Sequence, residues 1–316
     1  MMMLKKVHIY AMLCFVMLCW GLNVTATKLL VTSFAPVTIT AFRILAAALC
    51  VFAILSLSKQ VRMLTKREFV YVLLGSLLNV VAHHYFLSIG LSRTSAVNGG
   101  LIIGTGPLLT TIFALLFLGS KLTLLKSAGI ILGFSGVSLI VLVSNGGMSG
   151  VSIGDLYVFL AMAVQAASFI LIKRMSATLD PRLMTGYMLL LGSVFLFMIS
   201  LIVEPQGLAT LTQGSVSMWV IFFASACIAT GVGHMMYNYA IGLVGTVESA
   251  IFINLSPFFA LIGSAVFLGE QILLVQIVGF VLIIAGVLCG SGALEERIRS
   301  LRRSAGRVEK VTQKAS

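Results

Sequence analysis

The chain has 316 residues, 59% of them hydrophobic and only 9% charged, with a formal net charge of +12 and a mean hydropathy of +1.12. Soluble domains carry roughly a quarter charged residues, so a water-soluble fold is excluded and a polytopic membrane protein is expected. The basic excess does not point to a nucleic-acid partner, because Lys and Arg fall in short connections and in the final "EERIRSLRRSAGRVEKVTQK", where they act as topology determinants.

A membrane span needs about 20 apolar residues. Ten such runs follow one another, at 8–30, 36–57, 68–91, 95–118, 124–144, 154–174, 181–203, 216–241, 246–268 and 273–292. The first follows Lys5 and Lys6 but is too long for a signal-peptide core, so it is expected as an uncleaved helix. Barrel strands would be about ten residues of alternating polarity, so the expected class is all-α with ten transmembrane helices. With the N-terminus inside, every Lys and Arg except Lys28, Arg43 and Arg93 lies on one side. Both termini are therefore expected to be cytoplasmic. The five cysteines all lie inside apolar runs without metal-ligand spacing; they read as packing residues, and no metal or cofactor is expected.

Shifting the sequence by 150 residues aligns "GTGPLLTTIFALLFLGSK" (104–121) with "NLSPFFALIGSAVFLGEQ" (254–271). Pro107 falls on Pro257, Phe117 on Phe267, Gly119 on Gly269, Gly129 on Gly279 and Gly136 on Gly286. An offset of 145 places Pro36 on Pro181 and Lys28 on Lys173. The chain reads as two five-helix repeats, 1–147 and 148–292, followed by a basic cytoplasmic tail, 293–316. Five is odd, so the second repeat enters the membrane inverted, an arrangement typical of secondary transporters. Pro107 and Pro257 lack an N–H and free the carbonyls of Ile103 and Ile253. Matched hinges beside a cavity account for them, as do simple packing kinks. The small-residue steps Gly129/Gly133 and Gly286/Gly290 permit close helix approach, within one chain or across a homodimer.

Polar groups inside spans are expensive and face a cavity or a partner. Asn79 and His83 share a face of the third helix, with His84 adjacent; His234 and Asn238 share a face of the eighth. Inverted topology sets His84 toward the outside and His234 toward the inside. They are then hydrogen-bonding or protonatable groups at opposite ends of one cavity, or side chains satisfied between helices. Asn23, Asn98, Gln165 and Asn254 are further candidates for solute contact, and Trp20 for a cavity wall or plain packing. Glu248 suits a helix start, where the dipole favours a carboxylate, and Glu270 suits the outer interface. Arg43, alone in the second helix, needs a partner or must snorkel, either as an anchor or as an anion site.

Three segments carry a resemblance: "CWGLNVTATKLL" (19–30), "FAPVTITAFRILAAAL" (34–49) and the repeated proline-to-"LGE" segment. The chain resembles the EamA-type branch of the drug/metabolite transporter superfamily through Trp20, Gly21, Asn23, Lys28, Pro36, Arg43, Pro107, Gly119, Pro257, Gly269 and Glu270. That resemblance implies two inverted five-helix halves with cytoplasmic ends and carriage of small metabolites, often export of amino acids or related compounds. Ser120 stands where a family-like glutamate would sit, and Gln165 and Met188 stand where the first half has Trp20 and Arg43. The expected function is alternating-access transport of a small organic solute across a plasma or inner membrane, with the solute and the lipid bilayer as partners. No Walker A or HExxH pattern occurs, so ATP hydrolysis and other enzyme activity are not expected. An intramembrane enzyme built on the histidines, and a channel or sensor, are the alternatives.

Overall fold

A computed structural model describes residues 2–118, 123–144 and 152–290. Gly119, Ser120 and Lys121 of the first proline segment, the connection at 145–151 and the tail expected at 293–316 lie outside the described residues. The described residues form ten long helices: α1 (Met2–Ser33), α2 (Pro36–Leu57), α3 (Lys66–Arg93), α4 (Ala96–Phe117), α5 (Leu124–Ser144), α6 (Ile153–Met175), α7 (Pro181–Val203), α8 (Val216–Val244), α9 (Glu248–Leu268) and α10 (Leu274–Gly290). Among them, eight are long and apolar enough to cross a membrane; α5 and α10 contribute the shorter apolar stretches Ser127–Ile140 and Leu274–Cys289. The described residues contain helices and no strand, and the protein is a multi-pass membrane protein.

Local chemistry sets the helix ends. Pro36 and Pro181 occupy first-turn positions, where a missing N–H costs nothing. Ser95 caps α4 through the Asn98 N–H at 3.0 Å, and Thr65 and Glu68 form a capping box at the start of α3. Gly269 ends α9 at φ +66°, a left-handed conformation that favours glycine.

Two glutamates close helix starts far from themselves in sequence. Glu204, just after α7, accepts from the Val37 and Thr38 N–H groups of α2 at 3.0 and 2.8 Å. Glu270, expected at the outer interface, accepts from the Ala96 and Val97 N–H groups of α4 at 2.9 and 2.8 Å. A carboxylate beside free N–H groups at a helix start satisfies donors and complements the dipole. Glu270→Gln should lower stability by about 1–2 kcal/mol. A thermal melt in detergent identical to that of the wild type would contradict the cap. Lysines do the reverse at helix ends. Lys28 donates to the Leu91 and Thr94 carbonyls at 2.7 and 2.6 Å, and Lys173 donates to the Gly242 carbonyl at 2.9 Å.

Two irregularities lie within helices. The middle of α3 widens into a π-helical stretch, Ser76–Ala82, and the middle of α8 into another, Ala224–Val232. There the N–H of His83 reaches back five residues to the Leu78 carbonyl, and that of Gly233 to the Ile228 carbonyl. The other irregularity precedes each proline. α4 breaks at Gly104–Thr105, whose N–H groups bond only three residues back, to Leu101 and Ile102. α9 tightens into a 3-10 turn at Phe252–Asn254. The two breaks face each other, since a Cβ at Gly104 would lie 2.9 Å from Cγ of Pro257.

α1 packs on α9, α2 on α7, α3 on α6 and α5 on α10. The last pair meets backbone to backbone: a Cβ at Gly286 would lie 2.5 Å from the Gly133 nitrogen and 2.7 Å from the Gly129 carbonyl oxygen. Gly129, Gly133 and Gly286 thus serve contact within the chain.

Candidate functional site

A small cavity opens among α1, α3, α4, α6, α8 and α9. α1 contributes Trp20, Asn23, Val24 and Thr27; α3 contributes His83, His84, Leu87 and Leu91. The other helices add Ile103, Met162, Gln165, His234 and Ser256. The wall is mainly apolar.

The π-helical stretch of α8 orients one side of this wall. Two carbonyls of this π-helical stretch receive side chains that line the cavity. Trp20 Nε1 donates to the Ala229 carbonyl at 2.9 Å, and His234 Nδ1 lies 3.0 Å from the Thr230 carbonyl oxygen. The Trp20 ring lies 4.9 Å, centroid to centroid, from both His234 and Tyr237. On the other side, His83 is held by α6: its Nδ1 is 3.0 Å from the Ala161 carbonyl oxygen and its Nε2 is 3.3 Å from Gln165 Nε2. Asn79 Nδ2 donates to Ser168 Oγ of α6 at 2.7 Å, so Asn79 and His83 do share a face.

Behind the wall lies Arg43, only 2% exposed. Its guanidinium donates to Ser225 Oγ at 3.2 Å and Thr230 Oγ1 at 2.9 Å, and its second terminal nitrogen lies 3.5 Å from His84 Nδ1. Ser225 in turn donates to Asn23 Oδ1 at the cavity surface. Among the described residues, Arg43 forms no ion pair with a carboxylate. The cation is anchored by hydroxyls of α8 rather than by snorkelling.

The structure brings together Trp20, Asn23, His83, His84, Gln165 and His234. It places three other candidates elsewhere. Asn98 Oδ1 accepts from Gln276 Nε2 at 2.8 Å beside an open polar recess with Lys28 and Glu270. Asn238 Nδ2 donates to Thr185 Oγ1 of α7 at 2.9 Å, and Asn254 Nδ2 donates to the Ile251 carbonyl at 2.9 Å. The expectation that His84 and His234 occupy opposite ends of the cavity is corrected: their ring centroids are 5.6 Å apart. Each lies two residues past a π-helical stretch in the middle of its helix, so neither belongs to an end of the cavity. Glu248, expected at a helix start, lies in the first turn of α9 and also accepts a hydrogen bond from the Tyr10 hydroxyl of α1.

Sequence reasoning missed Ser225 and Thr230, because an isolated hydroxyl in an apolar run carries no signal of its own. It also missed both π-helical stretches. The one trace of irregularity was that "IGL" at 89–91 and 241–243 misses the 150-residue register by two residues.

The chain matches the EamA-like transporter family twice, over residues 8–142 and 152–291. It belongs to that family. An uncharacterized transporter of Bacillus subtilis, YyaM, is 30% identical to this EamA-like chain over 299 residues, covering 92% of it and 96% of the relative. A WAT1-related chloroplast protein of Arabidopsis thaliana is 24% identical over 265 residues, covering 82% of the chain and 64% of the relative. One solved crystal structure superposes with a TM-score of 0.66 at 16% identity, covering 90% of this chain and 97% of that one. That likeness concerns the fold alone. The EamA-like chain is thus a multi-pass protein of a membrane transporter family.

Proposed function

We propose that the protein is a secondary transporter that exports a small organic metabolite, an amino acid or related compound, by alternating access across a plasma or inner membrane. In this reading it spans the bilayer ten times, as inverted repeats 1–147 and 148–292 with both termini in the cytoplasm. The observation that carries the reading is the cavity, whose walls come from equivalent helices of both repeats. α3 and α8 each carry a π-helical stretch ahead of a cavity histidine, and α4 and α9 break at facing points beside Pro107 and Pro257. Two such breaks in oppositely oriented halves supply hinges about which each half can rock. Trp20, Asn23, His83, His84, Gln165 and His234 contact the solute, and Arg43 supports them from behind.

Counterflow in proteoliposomes tests this, with candidates drawn from metabolites enriched in the medium of overexpressing cells. A carrier gives saturable flux accelerated by solute on the opposite side. Linear flux would instead assign a channel, and product formation an intramembrane enzyme.

A further inference from the structure

Three histidines meet at the cavity, and the atoms around them dictate where each ring carries its proton. A neutral imidazole has one N–H donor and one acceptor nitrogen. A carbonyl only accepts, so His83, facing the Ala161 carbonyl, and His234, facing the Thr230 carbonyl, carry hydrogen on Nδ1. The acceptor nitrogen of His83 then meets the Gln165 amide. His84 differs. Its Nδ1 faces the Arg43 guanidinium at 3.5 Å, and a guanidinium only donates. His84 Nδ1 is therefore an acceptor, and the ring hydrogen is forced onto Nε2.

The Nε2 atoms of His84 and His234 are buried without a partner, on residues that line the cavity. We infer that Arg43 is a positioning residue that fixes His84 as a donor opposite the His234 acceptor, so that the cavity reads a solute group presenting an acceptor oxygen next to an N–H donor, as a carboxamide edge does. This rests on the transport reading of the cavity. A carboxylate offers only acceptors and leaves the His234 nitrogen unpaired; an ammonium offers only donors and opposes the His84 N–H. Leaving either buried group unpaired weakens binding about tenfold. The apolar wall of Val24, Leu87, Leu91, Ile103 and Met162 suits an aliphatic body attached to that edge.

The test uses the full chain in lipid nanodiscs with ¹⁵N-labelled histidine, read by solid-state NMR. The expected spectrum shows His84 protonated at Nε2, with His83 and His234 protonated at Nδ1. His84 protonated at Nδ1 would overturn the inference on the wild-type protein alone. In Arg43→Met, His84 should redistribute between its two tautomers while His83 keeps its own as an internal control. An unchanged His84 signal there removes the role of Arg43. Binding is followed through Trp20 fluorescence in a Trp219→Phe background, since the chain has only two tryptophans. Isovaleramide, isovalerate and isoamylamine share one branched five-carbon skeleton and differ in the hydrogen-bonding groups they offer. The amide should bind about tenfold more tightly than either of the others; equal affinities, a reversed order or no amide binding overturn the recognition. None of these readouts uses flux, so a failure of transport is seen separately, in the counterflow assay.

Discussion

Gly286→Ala is expected to destabilise the protein by about 3 kcal/mol. The added methyl would come within 2.5–2.7 Å of the Gly133 nitrogen, the Gly129 carbonyl oxygen and the Gly133 Cα. All three are backbone atoms of α5, so no rotamer change relieves the contact, and the helices must move apart. Separation forfeits close dispersion contact along the whole α5–α10 seam, and lipid supplies no hydrophobic force to restore it. The measurement is the thermal midpoint of purified protein in detergent. Ile131→Ala, on the exposed face of α5 at 66% exposure, serves as the control and should shift the midpoint far less. Equal midpoints for the two variants would remove the argument.

His234→Leu should reduce transport at least tenfold while the protein reaches the membrane in normal amount. Leucine occupies much of the imidazole volume, so packing against Trp20 is largely retained. It cannot donate to the Thr230 carbonyl or present a nitrogen to the cavity. The loss of a buried hydrogen bond costs roughly 1–3 kcal/mol, and one such step of 1.4 kcal/mol is already tenfold. Counterflow by equal amounts of reconstituted protein decides it. Full activity of His234→Leu, and of His84→Ala beside it, would remove both histidines from the solute path.

The helical architecture was readable because spans of this length and hydropathy leave the backbone no other way to satisfy itself in lipid. The breaks beside Pro107 and Pro257 were readable for a similar reason: a ring without an N–H acts on its own helix whatever the neighbours are. The site was only half legible. Asn23, His83 and Asn98 all stand out as intramembrane polar groups, yet only helix rotation and packing decide that the first two meet the cavity while Asn98 meets Gln276. The π-helical stretches had no residue signature, since an i→i+5 turn is made from the same Leu, Val, Ala and Ser as the helix around it. Without them the adjacency of His84 and His234 could not be foreseen. Arg43 was conspicuous as a lone cation, but its hydroxyl partners lie some 180 residues later, at Ser225 and Thr230.

The two glutamate caps have a consequence for biosynthesis. α2 and α4 are made early, but the carboxylates that seal their first turns are Glu204 and Glu270. α7, by contrast, starts on a carboxylate immediately before it, Asp180, which accepts from the Arg182 N–H at 2.8 Å. While the ribosome is still producing the later helices, the start of α2 waits for residue 204 and that of α4 for residue 270. The earlier-made part of the chain is thus finished by the later one, and a nascent chain halted between them carries four backbone donors with no carboxylate to receive them.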